Sequence, residues 1–176
     1  MIETRQIDAA HKRDINLTNE PFALTGRMVP AYRDKAWSYT VEPFAPEDVG
    51  EMCFPDGDYD YDALSRDHVF IGAYDGETCV GLAVLAEAWF KYMYLEDLKV
   101  RQDYRGQGVG KALLERALEA AHGRNYSGLY TVGQDNNVAA CCFYLKMGFE
   151  IGGFDNRAYR GTAQEGKADI TFYLDR

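Results

Sequence analysis

Tyr92-Met93-Tyr94-Leu95-Glu96-Asp97-Leu98-Lys99-Val100, with Arg105-Gly106-Gln107-Gly108-Val109-Gly110-Lys111 after it, decides the fold of this 176-residue chain. The first stretch is rich in aromatic and branched residues and reads as a strand. Beyond Gly108, apolar side chains at Val109, Leu113, Leu114, Ala117, Leu118 and Ala121 recur at three-to-four spacing and predict one helical face. Gly123 and Asn125 stop that helix. Between strand and helix, glycines at 106, 108 and 110 remove Cβ atoms, so backbone N–H groups can converge on one point. The first helical turn adds unpaired N–H groups and the positive end of its dipole, and Arg105 and Lys111 add charge. Such a turn suits a phosphate or diphosphate; the glycines alone would serve a tight strand-to-helix connection equally well. The nucleotide-hydrolysing pattern GxxxxGK[ST] fails at Arg105 and Ala112. The dinucleotide pattern GxGxxG fails at Lys111 or Leu113.

Working outward, residues 69–74 and 78–86 are apolar runs joined by Asp75-Gly76, a pair suited to a tight hairpin turn, and should pair antiparallel. Residues 92–100 make the third strand of this meander. Residues 129–132 read as a short buried strand and 136–147 as a second helix ended by Gly148. Residues 149–154 and 168–174 read as two last strands. Upstream, residues 37–44 alternate like a strand, and Pro46-Glu47-Asp48 looks like a helix start. Residues 1–35 are the least legible, with a short strand at 22–28 and breakers at Pro21 and Pro30. The order predicts one α/β domain over residues 1–176, a mixed sheet with flanking helices. Residues 92–132 would form a right-handed parallel crossover. The strands at 95–100 and 129–132 could splay apart and leave backbone groups for an extended ligand.

Composition narrows the function. With 28 acidic against 19 basic residues the formal charge is −9, which repels nucleic acid and anionic lipid and favours cations. No apolar run approaches a membrane span, and Met1 to Arg5 carry no apolar signal segment, so a cytoplasmic protein without membrane or nucleic-acid partners is expected. Cys53, Cys79, Cys141 and Cys142 lack CxxC spacing and read as reduced thiols. His11, His68 and His122 are scattered and form no zinc pattern, so no metal is expected.

The chain resembles the GCN5-related N-acetyltransferase family. Arg105, Gly108 and Gly110 meet its Arg/Gln-x-x-Gly-x-Gly/Ala pattern. Residues 94–100 look like its fourth strand, and 136–149 like its second CoA-contacting helix and the strand that follows. Residues 89–98, 128–137 and 164–170 look like the antibiotic-resistance branch that acetylates streptothricin. The resemblance implies a GNAT fold with a splayed parallel strand pair. It places the diphosphate of acetyl-CoA on Arg105, Gly106, Gln107, Gly108, Val109, Gly110 and Lys111, and its pantetheine arm along Leu98, Lys99, Val100 and Asn137. Tyr144 would stand near the thioester sulfur. The acceptor it implies is a cationic small-molecule amine, the β-lysine moiety of streptothricin, and it allows a homodimer. Asn137 also suits a helix N-cap, and Tyr144 a packed core aromatic.

Acyl transfer needs a neutral amine, so a carboxylate at the gap should take its proton. Glu96 is the first choice and Asp97 the second. Adjacent strand residues point to opposite faces, so only one of them should face the amine directly. The N–H of Leu98 would hold the oxyanion, and Tyr144 would protonate the departing thiolate. Glu87, Trp89, Asp58, Asp60 and Tyr61 are candidates for the acceptor cleft, each equally open to a packing or solvated-loop role. Neither Cys141 nor Cys142 has a histidine beside it, which favours direct transfer over a cysteine-bound intermediate.

Overall fold

The computed structural model describes residues 2–175, so Met1 and Arg176 lie outside it. Strands β1 (Ile2–Gln6), β2 (Phe22–Leu24), β3 (Gly26–Arg33), β4 (Ala36–Pro43) and β5 (Gly50–Met52) precede the one-turn helix α1 (Tyr61–Leu64). Strands β6 (His68–Asp75), β7 (Thr78–Ala86) and β8 (Tyr92–Val100) lead into helix α2 (Val109–Gly123). Strand β9 (Gly128–Gln134), helix α3 (Val138–Lys146), and strands β10 (Glu150–Asp155) and β11 (Asp169–Asp175) complete the chain. A 3-10 segment over Ala9–Asn16 follows β1. The seven-stranded sheet runs β1-β6-β7-β8-β9-β11-β10, with β8 and β9 as its parallel pair. The α/β class and the mixed sheet expected from the sequence are those observed.

The chain forms two compact units, each assembled from separated segments. The first unit holds the segment up to Glu20 and Phe54–Leu129. Its meander β6-β7-β8 is antiparallel, as the hairpin pattern predicts, and β1 adds a fourth antiparallel strand beside β6. The hairpin turn differs by one residue. Asp75 pairs with Thr78, so Gly76 and Glu77 make the turn, and only Gly76 has positive φ, at 59°. Glycine at the first central position is the type II′ arrangement, which matches the right-handed twist of the strands.

Register divides the meander into two faces. Phe70 lies opposite Val84, and Gly72 opposite Leu82, on a face where Ile7, Ile15, Phe70, Leu82 and Val84 form a buried cluster. Leu17, Tyr59, Tyr61 and Leu64 cover that cluster. On the other face α2 contributes the buried residues Val109, Leu113, Leu114, Ala117, Leu118 and Ala121, the set its periodicity predicts. Gly81 permits this helix to sit close: a Cβ there would come within 3.0 Å of Leu113 Cδ1 and 3.3 Å of Val109 Cγ1. Asn125, at φ 65°, follows the helix as expected.

The second unit holds Pro21–Cys53 and Tyr130–Leu174. Here β10 and β11 pair antiparallel, and β3 and β4 form a separate hairpin. Pro30 does not break β3; it pairs with Tyr39 inside the strand. A proline is tolerated there because a two-stranded ribbon leaves one side of each strand without a ladder. Pro46-Glu47-Asp48 is a single 3-10 turn rather than the start of a helix. Asp135 joins three segments of this unit. Its N–H donates to Ala168 O at 2.9 Å, its Oδ1 accepts from Ala168 N at 3.1 Å, and its carbonyl accepts from Met28 N at 2.8 Å.

Leu113 is fully buried against the sheet. Leu113→Ala should therefore lower unfolding free energy by about 2–5 kcal/mol, read as a lower urea midpoint at unchanged slope.

Candidate active site

The two sequence acids, Glu96 and Asp97, sit at an irregularity in β8. Asp97 pairs with Val84, but Leu95 pairs with Leu85, so Glu96 is an extra residue with no partner on β7. A β-bulge of this kind suspends the strict alternation of side chains. The expectation that the two acids point to opposite faces is therefore overturned. Asp97 and Lys99 lie opposite Val84 and Leu82, on the face of the Phe70 cluster. Glu96 reaches the same face, where its Oε2 lies 3.2 Å from His68 Nε2.

Aromatic rings surround the pair. His68 stacks on Phe70 with centroids 6.1 Å apart, and the Tyr59 and Tyr61 rings lie 6.0 and 5.9 Å from Phe70. Burial pushes the Tyr59 phenol upward, and the negative charges of Asp97 and Glu96 push it further, which places that ring within the field of both acids. Asn16 fixes the segment that carries Tyr59. Its side-chain amide donates to Tyr59 O at 2.9 Å and accepts from Tyr59 N at 2.8 Å. Lys99 Nζ lies 2.9 Å from Asp97 Oδ2, and the lysine side chain is only 10% exposed. Asp97 is therefore paired with a lysine, while the partner of Glu96 among the described residues is a histidine.

The glycine-rich turn takes its form from backbone geometry. Gly106 and Gly108 have φ of 73° and 86°, and Gly108 is the N-cap of α2. No atom lies within 4 Å of where a Cβ would stand at either glycine. Positive φ accounts for both glycines, and the space a Cβ would occupy at each is open. Arg105 works as a brace: its Nε donates to Val100 O at 2.9 Å and its NH2 to Glu20 Oε2 at 3.2 Å. Gln107 Nε2 closes the turn on Asp103 O at 2.7 Å. Lys111 lies on the exposed side of α2, 3.6 Å from Glu115.

Other candidates have structural partners. Glu87 Oε1 accepts from Arg124 at 2.6 Å, an ion pair that ties the end of β7 to the end of α2. Asp60 caps α1 through Asp62 N and Ala63 N. Trp89 stands 95% exposed in the β7–β8 turn, its ring 5.3 Å from that of Phe90. In the second unit, Asn137 Oδ1 accepts from Ala140 N at 3.2 Å, the N-cap role its position allowed. The Tyr144 ring is 8% exposed and packs on Phe149 and Phe172, with centroids 5.4 and 5.5 Å away.

His68 and Tyr59 were not anticipated from the sequence. The detectable signal lay in register: pairing β6 with β7, and β7 with β8, brings residue 68 near residue 96, but only the bulge puts their side chains on one face. Among the described residues no group of three or more His, Cys, Asp or Glu could hold a metal ion, and no helix is long and apolar enough to cross a membrane.

A meander leading through a glycine turn into α2, with a parallel β8–β9 pair, is an acetyltransferase architecture. The model of the acetyltransferase (GNAT) family matches residues 29–149, and the chain belongs to that family. Streptothricin acetyltransferase A of Bacillus subtilis is 35% identical over 161 residues, 92% of each chain. A streptothricin acetyltransferase of Streptomyces lavendulae is 35% identical over 88% of this chain and 76% of its own. A Bacillus anthracis protein assigned as a streptothricin acetyltransferase, solved in complex with acetyl coenzyme A, superposes at a TM-score of 0.89 with 29% identity over all of both chains.

Burial pushes the Cys141 thiol up to about 12 and the Cys79 thiol up to about 11, while Cys53 and Cys142 are exposed. Cys141 and Cys79 therefore stay protonated and covered at neutral pH. Iodoacetamide at pH 8 should label two cysteines in the folded protein and four in denaturant, counted by intact mass; four in the folded state would contradict the burial.

Proposed function

We propose that this chain transfers the acetyl group of acetyl-CoA directly to an amine of a cationic small molecule, the β-lysine moiety of streptothricin. The observation that carries the reading is the bulge in β8, which gathers Glu96, Asp97, Tyr59 and His68 on one face. An acidic face with aromatic rings attracts and orients an alkyl ammonium by charge and by cation–π contact. The streptothricin acetyltransferases that match most of this chain support the same acceptor class.

In this mechanism Glu96 takes a proton from the ammonium, and the freed nitrogen attacks the thioester carbonyl. The Leu98 N–H holds the oxyanion as the carbon–nitrogen bond forms. When the carbon–sulfur bond breaks, the Tyr144 hydroxyl gives its proton to the thiolate; the surplus proton on the attacking nitrogen and the one held by Glu96 leave to solvent, which reprotonates the phenolate. Glu96 suits the base better than Asp97, because Asp97 Oδ2 is already engaged by Lys99 Nζ at 2.9 Å. For acetyl-CoA itself, the open space beside Gly106 and Gly108 and the first N–H groups of α2 suit the diphosphate. Leu98, Lys99, Val100 and Asn137 are assigned to the pantetheine arm.

The test is release of CoA thiol from acetyl-CoA with streptothricin, an aminoglycoside, spermidine and a lysine peptide. Streptothricin should give the highest kcat/KM. Turnover of spermidine alone would remove the antibiotic as acceptor, and no turnover with any amine would favour an acetyl-CoA sensor. Cys142→Ala should leave kcat unchanged. A dead Cys142→Ala that still binds acetyl-CoA would instead require a cysteine-bound intermediate.

A further inference from the structure

His68 lies outside the sequence motifs, yet it is the residue that touches Glu96. Its imidazole is 16% exposed, stacked on Phe70, with Nε2 3.2 Å from Glu96 Oε2. Among the described residues its buried Nδ1 has no hydrogen-bond partner. The tautomer with its hydrogen on Nε2 turns a donor toward Glu96, 3.2 Å away, and leaves Nδ1 as a bare acceptor. The opposite tautomer would bury an N–H donor without a partner and set two acceptors face to face, which costs more.

Glu96 needs such a hold. As the extra residue of the bulge it lacks a partner on β7, so the ladder does not fix its direction as it fixes that of Asp97. The stacked ring, by contrast, is set by β6 and by Phe70. We propose that His68 is a positioning residue for Glu96: its Nε2–H fixes Oε2 and turns Oε1 toward the incoming ammonium. The inference rests on Glu96 being the base of the transfer.

Kinetics on the full chain separate the two ideas, using the acceptor of highest kcat/KM in the amine panel. Glu96→Gln should lower kcat by about 10²- to 10⁴-fold, the usual span for loss of a general base. His68→Phe keeps the stack but loses the donor, and should lower kcat by about tenfold or more through misplacement of the carboxylate, leaving KM for acetyl-CoA unchanged. His68→Gln carries an amide N–H near the Nε2 position and should restore most of the rate; His68→Asn places its amide near Nδ1 and should not. In a Glu96→Gln background, His68→Phe should have no further effect on kcat.

A wild-type rate in His68→Phe beside a slow Glu96→Gln overturns the positioning role and leaves the base intact. Glutamine as slow as asparagine, or equal losses in both backgrounds, overturns it also. A fast Glu96→Gln, or a wild-type protein inactive with every amine, removes the base and this inference with it. If His68→Phe fails to fold by thermal melt, the glutamine and asparagine pair decides.

Discussion

The arrangement depends on one extra residue. Were Glu96 in regular register with β7 rather than an extra residue between the Leu95–Leu85 and Asp97–Val84 pairs, the pleat of β8 would send its two acids to opposite faces. One would then lie under α2, where the neighbours are Leu113, Leu114 and Ala117 and an ionised carboxylate would find no partner. The bulge avoids that cost and concentrates both charges on the face covered by the 3-10 segment and the Tyr59 loop. It also lets Tyr94, opposite Ala86, share a face with Asp97 and Lys99.

Two carboxylates side by side repel each other, and the surrounding side chains divide that cost unequally. Lys99 neutralises Asp97 at 2.9 Å, with little exposure to solvent to screen the pair. Glu96 lies 3.2 Å from the imidazole of His68, and its charge, with that of Asp97, opposes ionisation of the Tyr59 phenol. The pair is thus differentiated: Asp97 is paired with a lysine and Glu96 with a histidine. The same logic appears at the turn, where Arg105 is committed to Val100 and Glu20. The guanidinium there braces the backbone of the turn.

Local signals were legible in proportion to how local their cause is. The α2 face, the β6–β7 pairing and the extent of β8 follow from periodicity and turn residues, and the structure reproduces them. Strand β1 escaped notice because Ile2–Gln6 is a polar edge strand, recognisable only by its pairing with β6. Pro30 misled because its cost depends on whether a neighbouring strand needs its N–H, a tertiary fact. The bulge escaped because it is a mismatch of register between two strands that each look regular alone. His68 and Tyr59 escaped with it, since their relevance exists only once Glu96 is turned onto their face. For Glu87 and Asp60, acids equally open to a structural role, the structure supplies partners in Arg124 and the N-terminus of α1.

The cysteines bear on the choice of chemistry from the opposite direction. A covalent route needs a thiolate that solvent and substrate can reach. Cys141 is fully buried with its thiol pushed up to about 12, a result of apolar packing around α3. Cys142 is exposed, yet no histidine stands in its own motif to activate it. The motif that holds the two adjacent thiols thus offers one that packing covers and one without a neighbouring histidine in sequence. The bulged face, in contrast, joins a carboxylate to the means of orienting it. Physical economy favours the route in which the amine itself is the nucleophile and the protein's task is to move protons.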